Sequence, residues 1–168
     1  MGVYSIWLML EKDSRYSYRD LIIKVSKKLK TPSFDPHCTI YGRLDLNIDQ
    51  VRPTVIDLVK TNNQFSTNVK RLKTGKTKWK SLYLSLDNNE DLRYLYGECK
   101  KKFGSLRRYA FDPHLSIAYG IFDPESIHYA TKNIIIPEYL AFSAIAIVKT
   151  GENIGDWEIV FQRQFESG

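Results

Sequence analysis

Two short segments carry the side chains best able to do chemistry, and they are near copies of each other. Phe34-Asp35-Pro36-His37-Cys38-Thr39-Ile40 returns as Phe111-Asp112-Pro113-His114-Leu115-Ser116-Ile117, with five of seven positions identical and a sixth exchanging Thr for Ser. A Tyr-Gly pair follows each copy, Tyr41-Gly42 and Tyr119-Gly120. In an extended chain, successive side chains point to opposite faces. His37 and Thr39 then share one face, with Cys38 and Ile40 on the other; His114 and Ser116 likewise oppose Leu115 and Ile117. Each copy offers a polar pair to one side and an apolar pair to a core. Keeping a histidine and a hydroxyl twice for packing alone is costly, so the repeat points to a site.

Imidazole titrates at about 6.5, so one ring can be neutral while its twin is protonated. A neutral His37 or His114 can take a proton from water, and the charged one can give a proton to a leaving oxygen. Thr39 and Ser116 can donate hydrogen bonds to the non-bridging oxygens of a phosphate, where charge accumulates. A metal centre is the natural competitor and fares badly. Catalytic zinc needs about three protein ligands, and no H-x-x-x-H or C-x-x-C spacing is present. His128, the remaining histidine of three, falls on a short predicted helix and reads as a surface residue. Cys38 points away from its neighbour His37 and reads as core, as does Cys99. The expected site has no metal and no cofactor.

The elements that must hold these residues follow from pattern. Residues 4–10 read as a buried strand, and 17–29 as an amphipathic helix with Ser17 and Asp20 resembling a capping box. A short strand over 37–41 leads to a helix ending near Lys60, in which Pro53 is tolerable only in the first turn. Residues 65–73 and 81–86 read as strands around a connection centred on Gly75. Residues 89–103 form a helix with Gly104 at its C-terminal cap. A strand over 114–119, a short helix after Pro124, and strands over 139–149 and 157–165 joined as a hairpin complete an α+β chain with mainly antiparallel pairing.

Composition bounds the rest. The chain has 168 residues, 43% hydrophobic and 26% charged, as for one globular domain. No stretch approaches the roughly 18 apolar residues of a membrane span. The N-terminus lacks the basic start of a signal peptide, and Ile6 stands where a myristoylation motif after Gly2 needs Ser or Thr. Two cysteines make no disulfide framework, so a reducing, cytoplasmic setting is the expectation, and a monomer is expected separately. The net charge of +6, with a basic run from Lys70 to Lys80, suits a phosphate-bearing partner, although such a run is more often a solvated face.

The motifs His37-Cys38-Thr39-Ile40 and His114-Leu115-Ser116-Ile117 match the paired H-x-[ST]-hydrophobic signature of the two-histidine phosphoesterase superfamily. Tyr4-Ser5-Ile6-Trp7, the two Phe-x-Pro-His segments and Trp157-Glu158 resemble its cyclic phosphodiesterase branch from plants and fungi. The resemblance implies one bilobal, pseudo-twofold α+β domain over residues 1–168, with helices outside mainly antiparallel sheets and the motifs facing a central groove. It also implies hydrolysis, without metal, of nucleotide 2′,3′-cyclic phosphates to 2′-phosphates, or of ADP-ribose 1″,2″-cyclic phosphate. His114 would be the base, His37 the acid, and Thr39 and Ser116 the phosphate-binding residues. Tyr119 falls where the branch has a tyrosine near the phosphate. Trp7 reads equally as groove wall or core aromatic. The extra cysteines of the plant members and the insertions of the fungal ones are missing, so their disulfides do not carry over. Enzymes on 2′-5′ linkages, RNA ends or cyclic oligonucleotide signals form the alternative. A nucleotide-binding module that has lost catalysis is disfavoured because all four motif side chains are intact.

Overall fold

The computed structural model describes residues 2–166. β1 (Gly2–Leu10) alternates cleanly: Ile6, Leu8 and Leu10 enter the main core, while Trp7 and Met9 join a smaller apolar cluster on the other face with Ala144, Ala146 and Val148. α1 (Lys12–Leu29) follows, then β2 (His37–Leu46), α2 (Ile48–Thr61), β3 (Phe65–Thr77), β4 (Lys80–Leu86), α3 (Glu90–Phe103), β5 (His114–Ala118), α4 (Pro124–Thr131), β6 (Tyr139–Lys149) and β7 (Glu158–Gln164). All strand pairings are antiparallel, in the order β2-β1-β6-β3-β4-β5, with β7 on the far part of β6. The α+β class is as expected.

Several boundaries differ from the sequence pattern. α1 begins at Lys12, not Ser17, because the Glu11 carboxylate caps it by accepting from the Asp13 N–H. β2 runs on to Leu46, past the expected Tyr41. Pro53 sits inside α2, beyond its first turn, where its missing N–H forgoes one helical hydrogen bond. A capping box does occur, but on α2: Asn47 and Gln50 each reach the other's backbone N–H. The β3–β4 turn lies at Lys78 and Trp79, and Gly75 stands within β3. A Cβ there would come within 1.9 Å of the Lys80 carbonyl oxygen, so the glycine permits a close backbone crossing. Gly104 does cap α3, but with right-handed φ and ψ.

The repeat extends further than its sequence identity. In the first half Ile6 pairs with Tyr41 and Trp7 with Thr39; in the second Leu82 pairs with Ala118 and Tyr83 with Ser116. Both ladders therefore slip by one residue at the same place, leaving Ile40 and Ile117 as the extra residues, and both are fully buried. The helices cross over between the halves: α1 packs on β5, and α3 on β2. The end strands β2 and β5 come back into contact with each other, although they lie at opposite ends of the strand order. That closure brings the two histidine motifs together.

Candidate active site

The first residue of β2 is His37 and the first of β5 is His114. Each Nδ1 lies 2.7 Å from the carbonyl oxygen two residues earlier, Asp35 for His37 and Asp112 for His114. A carbonyl can only accept, so Nδ1 carries the proton in both neutral rings. Nε2 is left as a lone pair for the cleft. Pro36 and Pro113 hold the preceding residue extended, which presents that carbonyl. Both aspartate side chains are turned to cations instead: Asp35 to Arg15 at 3.2 Å, and Asp112 to Lys80.

His37, His114, Thr39, Trp7 and Tyr119 all line one open cleft of about 420 Å³. Ser116 is buried beside it, against the Tyr119 phenol. Trp7 is both groove wall and core: the residue is 4% exposed and its ring stacks on His37, with centroids 3.4 Å apart and planes 7° from parallel. Tyr83 occupies the matching place beside His114. The two Tyr-Gly pairs are not equivalent. Tyr41 is core and donates to the Arg107 carbonyl, whereas Tyr119 faces the cleft. Gly120, at φ 146°, could not accept a side chain, since a Cβ would meet the Phe122 ring at 2.6 Å.

Burial sets the electrostatics. It lowers the His37 pKa to about 4, assisted by repulsion from His114 and opposed by the Asp35 carbonyl. His114 is also lowered by burial and by Lys80, and again its carbonyl partner opposes the shift. Both rings are therefore neutral at pH 7 in the protein alone. Burial pushes the Tyr119 phenol up to about 12, so it remains a hydrogen-bond donor. The Cys38 thiol, also pushed up to about 12, receives a hydrogen bond from the His114 backbone, which places the two motifs in direct contact. Cys38 and Cys99 are buried and unpaired. His128 is exposed on α4. Among the described residues, no three His, Cys, Asp or Glu side chains converge to hold a metal, and no helix is long and apolar enough to cross a membrane.

Residues that the motif gives no sign of complete the cleft. Trp157 and Trp79, from the β6–β7 and β3–β4 connections, stack at 5.9 Å over its mouth. Arg43, at φ 60°, lines it from β2. Tyr83 had a usable signal, because it follows Trp7 by almost the spacing of the histidines, and Trp157 belongs to the Trp-Glu pair that carries the family resemblance.

A model of the family described as cyclic phosphodiesterase-like proteins matches residues 1–165. The chain belongs to that family. A cyclic phosphodiesterase of Arabidopsis thaliana is 23% identical over 117 residues, which cover 70% of this chain and 65% of that protein, just under two thirds of its length. Crystal structures share the fold. E. coli LigT complexed with 3′-AMP superimposes with TM-score 0.63 at 11% identity, covering 98% of each chain. A Thermus thermophilus protein does so with TM-score 0.67, also at 11% identity and 98% of each chain. The two-histidine phosphoesterase fold implied by the motifs is thus the fold observed.

Proposed function

We propose that this protein is a phosphodiesterase that opens a cyclic phosphate on a nucleotide, either a 2′,3′-cyclic phosphate or ADP-ribose 1″,2″-cyclic phosphate. The observation that carries the reading is the pair of imidazoles, each anchored through Nδ1 to its own i−2 carbonyl, with both rings opening on one cleft. Neutral His114 accepts a proton from water through Nε2, and the water oxygen bonds to phosphorus. On a 2′,3′-cyclic substrate the P–O3′ bond breaks, and His37 gives its Nε2 proton to the departing O3′. The product is a 2′-phosphate. His37, buried under Trp7 and lowered to about 4, is a strong acid once protonated, while the more exposed His114 ring is better placed to take a proton from water. The bound phosphate anion supplies the counter-charge that returns a proton to the buried ring. The Thr39 hydroxyl and the Tyr119 phenol, which line the cleft, donate to the non-bridging oxygens, and in this reading the Ser116 hydroxyl, buried beside Tyr119, reaches them on substrate binding.

Membership in the cyclic phosphodiesterase-like family and the name of the Arabidopsis relative support this chemistry. LigT, with the same fold, has been crystallised with 3′-AMP and with ATP, which supports a nucleotide as the ligand. The chemistry proposed needs no metal or cofactor, because protonated imidazole and hydroxyl donors neutralise the charge. The test is incubation with 2′,3′-cyclic nucleotides, ADP-ribose 1″,2″-cyclic phosphate and cyclic dinucleotides in excess EDTA, with products identified by mass spectrometry. A 2′-monoester formed in EDTA is the expected result. Turnover only after zinc or magnesium is restored would overturn the mechanism.

A further inference from the structure

The two halves of the cleft match residue for residue near the histidines and then diverge. Cross-strand rows show where. In the first half, one row runs Ala146–Trp7–Thr39 and the next Ala144–Met9–His37. In the second half, the corresponding rows are Lys73–Tyr83–Ser116 and Arg71–Ser85–His114. Directly opposed residues share a face of the sheet, so Lys73 and Arg71 lie on the same face as the second motif. Where one half has two small apolar residues, the other has two cations. The fold itself does not demand them.

Neither cation is locked into a close ion pair. Lys73 and Arg71 are exposed, and among the described residues β3 beyond Val69 pairs with β4 alone, so its outer edge there is open. The alanine rows are instead closed by β7, which adds Gln162 and Gln164 beside them. Among the described residues neither Arg71 nor Lys73 forms a close ion pair, whereas Lys70 is held by Asp87 at 3.6 Å and Lys80 by Asp112; Lys73 stands near enough to Asp112 to help hold its carboxyl below the usual range, and Arg71 lacks even that partner. Two strand spacings separate Lys73 from Ser116, about 10 Å between backbones, which the lysine side chain shortens. Tyr83 lies between, buried and edge-on to His114, with the Lys80 ammonium over its ring. A phosphate held between the histidines would thus have, two strands away along the second half, two cations that the first half lacks.

We propose that the face of the β3–β4 ribbon bearing Arg71 and Lys73 binds the backbone of an RNA strand whose 2′,3′-cyclic phosphate end lies between His37 and His114. This deepens the cyclic-phosphate reading above and rests on it: the substrate is a strand end, and the phosphates preceding the cyclic one meet the two cations. A mononucleotide fits the same cleft but forgoes those contacts.

The experiment compares the wild-type chain with R71Q/K73Q, two exposed positions outside the catalytic cleft. Fluorescence anisotropy follows a 5′-labelled oligoribonucleotide ending in a 2′,3′-cyclic phosphate, across a salt series. Each phosphate neutralised on a single strand contributes a slope of about −0.7 in log K against log salt. The double substitution should therefore flatten the slope by about 1.4 and weaken binding on the order of tenfold at low salt. Hydrolysis of 2′,3′-cyclic AMP by R71Q/K73Q should match wild type. Equal strand affinity and equal slope in the two proteins would overturn the inference. If the wild type hydrolyses no cyclic phosphate yet binds the strand through Arg71 and Lys73, the activity proposed above fails while this surface stands. Hydrolysis of mononucleotides with no advantage for strands would sink the surface and leave the activity intact.

Discussion

Trp7 lies flat on His37, with ring centroids 3.4 Å apart and planes 7° from parallel. The matching aromatic of the second half, Tyr83, meets His114 edge-on at 5.4 Å. The same scaffold thus clamps one imidazole between an indole and the core and leaves the other more open. The two histidines are equivalent in sequence and inequivalent in environment, and most of what can be tested follows from that difference.

His37 should be neutral far below the usual histidine range. Burial lowers its pKa to about 4, while an unfolded chain titrates at about 6.5. A group whose folded pKa is depressed in this way binds fewer protons folded than unfolded between those values. Stability should then be fully present above pH 6.5 and fall as pH drops toward 4, by no more than about 3.5 kcal/mol from this residue. His114, lowered too, adds in the same direction. Histidine NMR titration and urea midpoints at several pH values measure both effects. An ordinary pKa for His37 would contradict the burial described.

Replacing Trp7 separates packing from electrostatics. Trp7→Ala should destabilise the fold by about 3–5 kcal/mol, the usual range for a buried large aromatic. It should also raise the His37 pKa, because water gains access to the ring. Trp7→Phe should keep most of both properties. Thermal unfolding with the same NMR titration decides the matter, and an unmoved His37 pKa in Trp7→Ala would show that the stack does not control the ring.

Neither cysteine should act as a nucleophile. Cys38 and Cys99 are both fully buried, with thiols pushed up to about 12. A thiol-reactive chromophore should label the native protein slowly and the unfolded protein at two sites. Rapid labelling of Cys38 in the native state would reopen its role.

Much of the site was legible in the sequence because it depends on local identity. A repeated His-x-hydroxyl pattern after Pro fixes strand direction, side-chain face and the i−2 carbonyl within a few residues. Residues 139–149 and 89–103 were legible for the same reason, being long and strongly periodic or capped by Asn89. Some of what was hidden is local but atypical: the start of α1 turned on Glu11 serving as cap, an unusual residue for that place. The β3–β4 turn moved because Gly75 serves a close crossing rather than a bend. Trp79 and Trp157 meet over the cleft from connections nearly eighty residues apart, a contact that no local pattern encodes, although Trp157 belongs to the pair that carries the family resemblance.

The division of labour between the histidines gives the sharpest prediction. With both rings lowered, the active form of the free enzyme, carrying one proton on the pair, is most populated between the two pKa values. The pH profile of kcat/KM should therefore be a bell displaced to acid, with its alkaline limb below 6.5. A profile flat to pH 8 would mean that the pair is not the acid–base couple. His37→Ala and His114→Ala should each remove most turnover. The double variant should lose much less than the product of the single losses, because the residues act together. Thr39→Ala and Ser116→Ala should cost about 2–4 kcal/mol each in transition-state stabilisation if each behaves as one oxyanion donor. A substrate whose leaving oxygen needs no proton then tells acid from base. It should restore turnover to His37→Ala and leave His114→Ala inactive, since water still lacks a base there. Rescue of His114→Ala alone would reverse the order, making buried His37 the base and the more open His114 the acid.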